Sequence, residues 1–343
     1  MKTLQKLSPG DTVAVVSPSF AAPGRWPHVH ELGLRRLRDV FGLKVLEYPS
    51  TRDLAATAKE KARDLEAAFA DPKVKAVVAT LGGDIQVTYV GSLRPGSFVE
   101  HPKPFLGFSD NSHFANFLFL QGIPSYYGGS LFTQFAMHGS MDELTVRYIK
   151  NALFDQGEIE LKASGAYNDV GISWDEPELL HKRRQYETND GWYWDGDADT
   201  QGLLWGGCVE SVDEMLRHDS VIPSLRQFEN IVLMLETSEE IAPASYVFRV
   251  IRALGERGIL ARVQGILMGR PKAWEFHKPY PPERKAAHKQ AQREAVLTTF
   301  RQYNAQAPVV QNLDFGHTDP QIPMPYGGKV RLNSSQHRIW ATF

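Results

Sequence analysis

The sequence predicts an α/β fold: an N-terminal, mostly parallel, doubly wound sheet followed by a smaller C-terminal mixed α/β unit. Three observations carry this. Short continuous apolar runs recur from residue 13 to residue 127, as in strands buried on both faces. Segments with an apolar stripe at helical spacing separate these runs. Glycine turns follow two of the runs, at Gly82-Gly83 and at Gly107, so loops form at strand carboxyl ends, where such sheets bind ligands.

The first strand is Val13-Ala14-Val15-Val16, ahead of Pro18. Leu32, Arg36 and Val40, with Leu37 and Phe41 adjacent, mark a helix, and residues 43–48 read as the second strand. Residues 52–70 are nearly all good helix formers, with Ala62, Leu65, Ala68 and Phe69 as the apolar stripe. Asp71-Pro72 ends that helix, because the residue before a proline disfavours the helical region. A third strand over 74–80 turns out through Leu81-Gly82-Gly83-Asp84. Pro104-Phe105-Leu106 is a strand that runs into Gly107, and a helix over 111–120 follows. A strand near 123–127 and a helix over 141–154 complete the first half. Residues 163–200 are polar and aromatic without a clear period, with Trp174, Trp192, Tyr193 and Trp194, and read as a crossing linker expected to help line a cleft. In the second half, 202–205, 231–235, 263–268, 309–313, 329–332 and 338–342 read as strands. Val247, Ile251 and Leu254 mark one helix face, and a charged stretch over 272–289 leads into a helix ending near Tyr303. The expected domains are 1–165, a linker over 166–200, and 201–343.

Composition narrows the function. Lysine plus arginine total 38 and aspartate plus glutamate 40, a net charge of −2, which argues against binding a nucleic-acid polymer. The single cysteine, Cys208, excludes an intrachain disulfide framework and suits a reducing compartment. No apolar run approaches the length of a membrane span, and the first ten residues lack a signal core. The expectation is a cytoplasmic protein with no membrane partner.

The chemistry centres on Gly107-Phe108-Ser109-Asp110. A strand, a sharp turn and a helix place the Ser109 hydroxyl where free backbone N–H groups and the helix dipole favour developing negative charge. The structural alternative is that Ser109 or Asp110 merely caps the helix. Glu236 ends the apolar strand Leu233-Met234-Leu235 and can orient a histidine. His317, after Gly316 at a strand end, is an accessible general base. Gly82-Gly83 lets backbone N–H groups approach a ligand, as an oxyanion hole requires. Two metal patterns fail: Asp195-Gly196-Asp197-Ala198-Asp199 has Gly206 where a calcium loop needs its bidentate glutamate, and His28-Val29-His30 lacks a matching cluster. No metal and no cofactor are expected.

Gly-Phe-Ser-Asp at 107–110, Leu-Glu-Thr-Ser-Glu at 235–239, Gly-His-Thr-Asp-Pro-Gln at 316–321 and Thr-Leu-Gly-Gly-Asp at 80–84 together resemble the LD-carboxypeptidase family of serine peptidases. The resemblance implies a Ser109–Glu236–His317 triad, backbone oxyanion donors at Gly83 and Asp110, no metal, and a homodimer. The stretches 205–211 and 189–194 resemble the microcin C immunity subgroup, which cleaves a peptidyl or aminoacyl group from a nucleotide-like amide. That likeness implies substrate contacts at Trp192, Asp84 and Glu210, with Trp194 as the rival ring for stacking on a base. The alternative substrate is the murein tetrapeptide of the LD-carboxypeptidases proper. Three further readings compete. An α/β-hydrolase would need glycine where Asn111 stands. A nucleotide kinase would use Gly82-Gly83-Asp84 on phosphates, but Ile85 stands where such kinases have glycine. A non-catalytic binding protein could keep the fold.

Overall fold

The computed structural model describes all 343 residues. Its strands are β1 (Thr12–Val16), β2 (Lys44–Glu47), β3 (Val74–Ala79), β4 (Phe105–Gly107), β5 (Ser125–Tyr127), β6 (Glu158–Leu161), β7 (Ala166–Tyr167), β8 (Glu187–Thr188), β9 (Tyr193–Asp195), β10 (Thr200–Cys208), β11 (Ile231–Glu236), β12 (Gly265–Gly269), β13 (Val309–Leu313), β14 (Met324–Tyr326), β15 (Lys329–Asn333) and β16 (Arg338–Thr342).

One sheet runs β2-β1-β3-β4-β5-β14-β10-β11-β12-β13-β9. The blocks β2-β1-β3-β4-β5 and β10-β11-β12-β13 are each parallel throughout. A short antiparallel ladder between β5 and β14, and a single pairing of Leu204 with Tyr326, join the blocks. The two parallel blocks are therefore joined into one sheet through β14. β15, β16 and β6 form an antiparallel extension from β10.

The apolar runs behave as parallel strands must. Every residue of β11 is buried, including its terminal Glu236, and the last four of β1 and of β3 are buried too. Helices cover both faces of each block. The helix Ala58–Ala70 begins at a capping box, in which Thr57 Oγ1 accepts from the Glu60 N–H and the Glu60 carboxylate accepts from the Thr57 N–H. A cap of that kind stabilises a helix by about 1 kcal/mol. Residues 52–56, read from composition as the start of this helix, instead lie ahead of its Thr57 cap. The helix Ala244–Glu256 buries Val247, Val250, Ile251 and Leu254 on one face and packs against Pro282–Tyr303. No helix is long and apolar enough to cross a membrane.

The stretch expected to be an irregular linker carries a strand. β9 pairs antiparallel with β13, matching Val310 to Trp194 and Gln311 to Tyr193. β7 and β8 form a small separate hairpin. Tyr193–Asp195 is thus an edge strand of the large sheet, and its side chains answer to that sheet's packing.

Candidate active site

The site forms where loops leaving β3 and β4 meet loops leaving β11, β12 and β13. Ser109 sits in the left-handed region, at φ 64°, between β4 and the helix Ser112–Leu120. A non-glycine residue there is strained by about 1–2 kcal/mol. The strain persists because Gly82 closes on it: a β-carbon on Gly82 would lie 2.8 Å from Ser109 Cβ. Ser109 is not a helix cap. Its Oγ makes no hydrogen bond, its N–H donates to the Tyr127 hydroxyl at 3.2 Å, and Ser112 Oγ donates to its carbonyl at 2.6 Å. Asp110 does not cap either. Its Oδ2 accepts from Ser19 Oγ and from the N–H groups of Ile85 and Gln86, tying the β4 turn to the β3 turn. The capping alternative is thereby excluded, and Ser109 presents an unengaged hydroxyl to a cleft of about 880 Å³.

His317 lines the same cleft, with Phe108 stacked edge-on against its ring at 4.9 Å. Its Nδ1 lies 2.7 Å from Glu236 Oε2. Glu236 is fully buried, and its other oxygen accepts from the Tyr127 hydroxyl at 2.5 Å. Tyr127 therefore links the Ser109 backbone to the carboxylate that holds His317. Burial, and then Glu236, push the Tyr127 phenol well above its usual value, so it stays a donor. The imidazole meets a second carboxylate: Nε2 lies 3.0 Å from Oε2 of Glu239, whose side chain is 55% exposed. Burial works against charge on His317, but Glu236 and Glu239 overcome it and raise its pKa from 6.5 to about 10.

The turn that carries His317 demands glycine. Gly316 adopts φ +94°, and a β-carbon there would stand 2.5 Å from Glu236 Oε2. Gly316→Ala is expected to destabilise the fold by about 2–5 kcal/mol, combining the left-handed penalty with overpacking. Urea denaturation measures it, and a midpoint equal to wild type would contradict this packing.

The remaining candidates fall in different places. Gly83, at φ +153°, packs on Ser19 and Phe20 at the cleft edge, beside Gly82 and Ser109. Asp84 is exposed and off the cleft wall. Glu210 is not on the wall either. It accepts from the Ser238 N–H and hydroxyl, fixing the loop after β11, and contacts the Cys208 thiol at 2.9 Å. Trp192 is turned away from the cleft: its indole N–H donates to Asp314 Oδ2 at 3.0 Å and its ring packs on the core. Trp194 stacks on His337 at 5.2 Å. The placement of Trp192 as a cleft ring is thus corrected, because pairing of β9 with β13 sends both rings elsewhere.

The aromatic wall takes Trp174 from the 163–200 segment expected to help line a cleft, and its other rings from residues the sequence did not single out. Trp174 packs against Trp26 at 5.1 Å and Phe132 at 5.4 Å, and Trp274 against Phe276 at 5.0 Å. All five border the cleft. His28 Nε2 meets the Trp174 carbonyl at 2.8 Å and Trp26 Nε1 donates to Asp175, so the Trp174 loop is pinned from two sides. His28 and His30 do not converge: His30 pairs with Glu47. In the 272–289 stretch Lys272 lines the cleft, while Lys285 pairs with the buried Asp169.

Two clusters bring metal-ligand atoms within 4.8 Å. In the first, Cys208 stands beside Glu236 and His317, and burial pushes its thiol well above the usual value. In the second, His113 Nε2 lies 3.0 Å from Glu214 and 3.7 Å from Asp110.

Comparison with known proteins is consistent across the chain. Residues 13–128 match the LD-carboxypeptidase N-terminal domain and residues 201–332 the LD-carboxypeptidase C-terminal domain. A Treponema pallidum protein named as a candidate carboxypeptidase is 28% identical over 332 residues, 95% of this chain and 91% of that one. The microcin C7 self-immunity protein MccF of Escherichia coli is 21% identical, over 84% of this chain and 79% of its own. An MccF-like protein of Streptococcus pneumoniae, solved with AMP, superposes with a TM-score of 0.84 at 26% identity, covering 97% of this chain and 98% of that one. MccF solved with aspartyl sulfamoyl adenosine gives a TM-score of 0.85 at 20% identity, covering 99% and 98%.

Proposed function

The chain belongs to the LD-carboxypeptidase family, and from that premise we propose that it is a serine amidohydrolase acting on an aminoacyl- or peptidyl-nucleotide. The observation that carries the reading is one cleft holding both the strained, unengaged Ser109 and the His317 held by Glu236.

In this mechanism Ser109 Oγ attacks the amide carbonyl carbon while its proton passes to His317 Nε2. Glu236 keeps the other ring nitrogen as donor and balances the imidazolium. Backbone N–H groups of Asp110 and Gly83 receive the oxyanion, each worth about 10²–10³ in turnover. The tetrahedral intermediate collapses as His317 returns the proton to the leaving nitrogen, and water then cleaves the acyl-serine by the same steps.

The nucleotide half of the proposal rests on the aromatic wall. MccF-like relatives are solved with AMP and with sulfamoyl adenosine conjugates. Here Trp174 is held facing the cleft by Trp26 and Phe132, in place of the Trp192 suggested by sequence. A base stacked on an aromatic ring gains about 1–3 kcal/mol, so Trp174→Ala should lower kcat/KM for an aminoacyl-sulfamoyl adenosine by about 5–150-fold. A peptide without a base should change far less; equal loss on both would make Trp174 a structural residue.

The deciding assay runs an aminoacyl-sulfamoyl adenosine and a cell-wall tetrapeptide in parallel. Preferred turnover of the nucleotide conjugate supports the proposal. Preferred release of the terminal D-alanine from the tetrapeptide would reassign the protein to murein recycling. Turnover of neither, with no labelling of Ser109 by a fluorophosphonate, would remove the enzymatic reading.

A further inference from the structure

The atom that must accept the Ser109 proton is not free. His317 Nε2 lies 3.0 Å from the Glu239 carboxylate. Other groups around the ring leave Glu239 as the variable one. Glu236, at the end of β11, is buried and held on its far side by Tyr127. Tyr127 from β5 and Cys208 from β10 are kept neutral by burial. Asp319, on the loop that carries His317, pairs with Arg184 at 2.6 Å. Lys272, from the loop after β12, donates to the Asp169 carbonyl at 2.9 Å and exerts only a weaker pull on Glu239. Glu239 itself has a backbone position set by the Ser238–Glu210 bonds, yet more than half of its side chain meets solvent. His317 is the one ion partner its carboxylate has. Desolvation in the cleft opposes its ionisation, but the imidazolium holds it down at about 2.

A carboxylate in that position blocks the base and can move. Leaving His317 costs it a charge-assisted contact, which only a replacement cation restores. We propose that Glu239 is a specificity-determining residue, which leaves His317 Nε2 to bind a positively charged group carried by the substrate next to the scissile amide. The entering cation frees the base in the same motion, so a basic substrate unlocks its own cleavage. This rests on the amidohydrolase reading above. The cation has two sources, a free α-ammonium beside the carbonyl or a basic side chain.

The test uses the full-length protein with isotope-labelled histidine and follows the His317 imidazole by NMR, which needs no turnover. In Glu239→Gln the His317 titration midpoint should fall by about one to three pH units, the usual effect of one close opposite charge. Glu239→Ala serves as a second variant. In wild type, saturating alaninamide (α-ammonium) or N-acetyl-lysinamide (side-chain ammonium) should move the midpoint towards that of Glu239→Gln, and the effective amide names the source. Neutral N-acetylalaninamide should leave it in place. A midpoint unmoved by the substitutions, or by both cationic amides, overturns the proposal whether or not the protein hydrolyses anything. In the hydrolysis arm, wild type should prefer alanyl-sulfamoyl adenosine (α-ammonium) or Nα-acetyl-lysyl-sulfamoyl adenosine (side-chain ammonium) over N-acetylalanyl-sulfamoyl adenosine by about 10–150-fold, the worth of one hydrogen bond to a charged group. Glu239→Gln should erase that preference and extend the acid limb of kcat/KM to lower pH. A preference retained in Glu239→Gln overturns the proposal; hydrolysis absent in wild type overturns the amidohydrolase reading, and the NMR result then stands by itself.

Discussion

Ser109→Ala is expected to lower kcat/KM for amide hydrolysis by about 10⁴–10⁶-fold, the scale of nucleophile loss in triad enzymes. The fold should barely respond. Ser109 Oγ makes no hydrogen bond, and the contacts that fix this residue are its N–H to Tyr127, its carbonyl to Ser112, and Gly82 against its Cβ. Alanine keeps all three, so stability should stay within about 0.5 kcal/mol of wild type. Loss of activity without loss of stability separates a nucleophile from a cap, because removing a cap costs about 0.5–2 kcal/mol. Fluorophosphonate labelling, thermal denaturation and the hydrolysis rate measure the three parts. A mutant rate within tenfold of wild type would end the case for Ser109 as nucleophile.

The parts of this molecule that were legible in sequence share one property: each is set by its immediate neighbours. Ser109, Glu236 and His317 stand at junctions between an apolar run and a turn. Those junctions become strand ends because buried parallel strands need continuous apolar runs. Ile231 to Glu236 and Val309 to Leu313 follow directly. Which ring forms the cleft wall was not legible for the opposite reason. Trp174 and Trp274 lie outside regular elements, where no period says which way a ring points. Trp192 looked similar, but β9 adds to β13 and Asp314 takes its N–H, both decided by residues more than a hundred positions away. Glu239 posed a different problem. Its place in the Leu-Glu-Thr-Ser-Glu motif was visible, but its contact with His317 depends on how the loops after β11 and β13 meet.

That contact also separates the two carboxylates by experiment. Glu236→Gln is expected to lower kcat by about 10⁴-fold, since an amide cannot balance the imidazolium and can hold the wrong tautomer. Glu236 is fully buried between two donors, Tyr127 and His317 Nδ1. Glutamine offers them one accepting oxygen, and its amide group then faces a donor, which costs a further 1–3 kcal/mol or so in stability. The pH dependence has a definite sign. His317 has a folded pKa raised above 6.5, to about 10. Its stabilising contribution is therefore complete below the unfolded value of 6.5 and is lost as pH rises to about 10. Removing either carboxylate pulls the upper edge of this window down. At pH 7 the raised pKa keeps the imidazole mostly protonated, which opposes its work as a base. Glu239→Gln should raise the neutral fraction and keep the triad; Glu236→Gln should raise it too and yet lose the rate, because the freed base is no longer oriented. If the two variants gave the same kcat, Glu236 would have no role beyond its charge, and its place in the triad would fall.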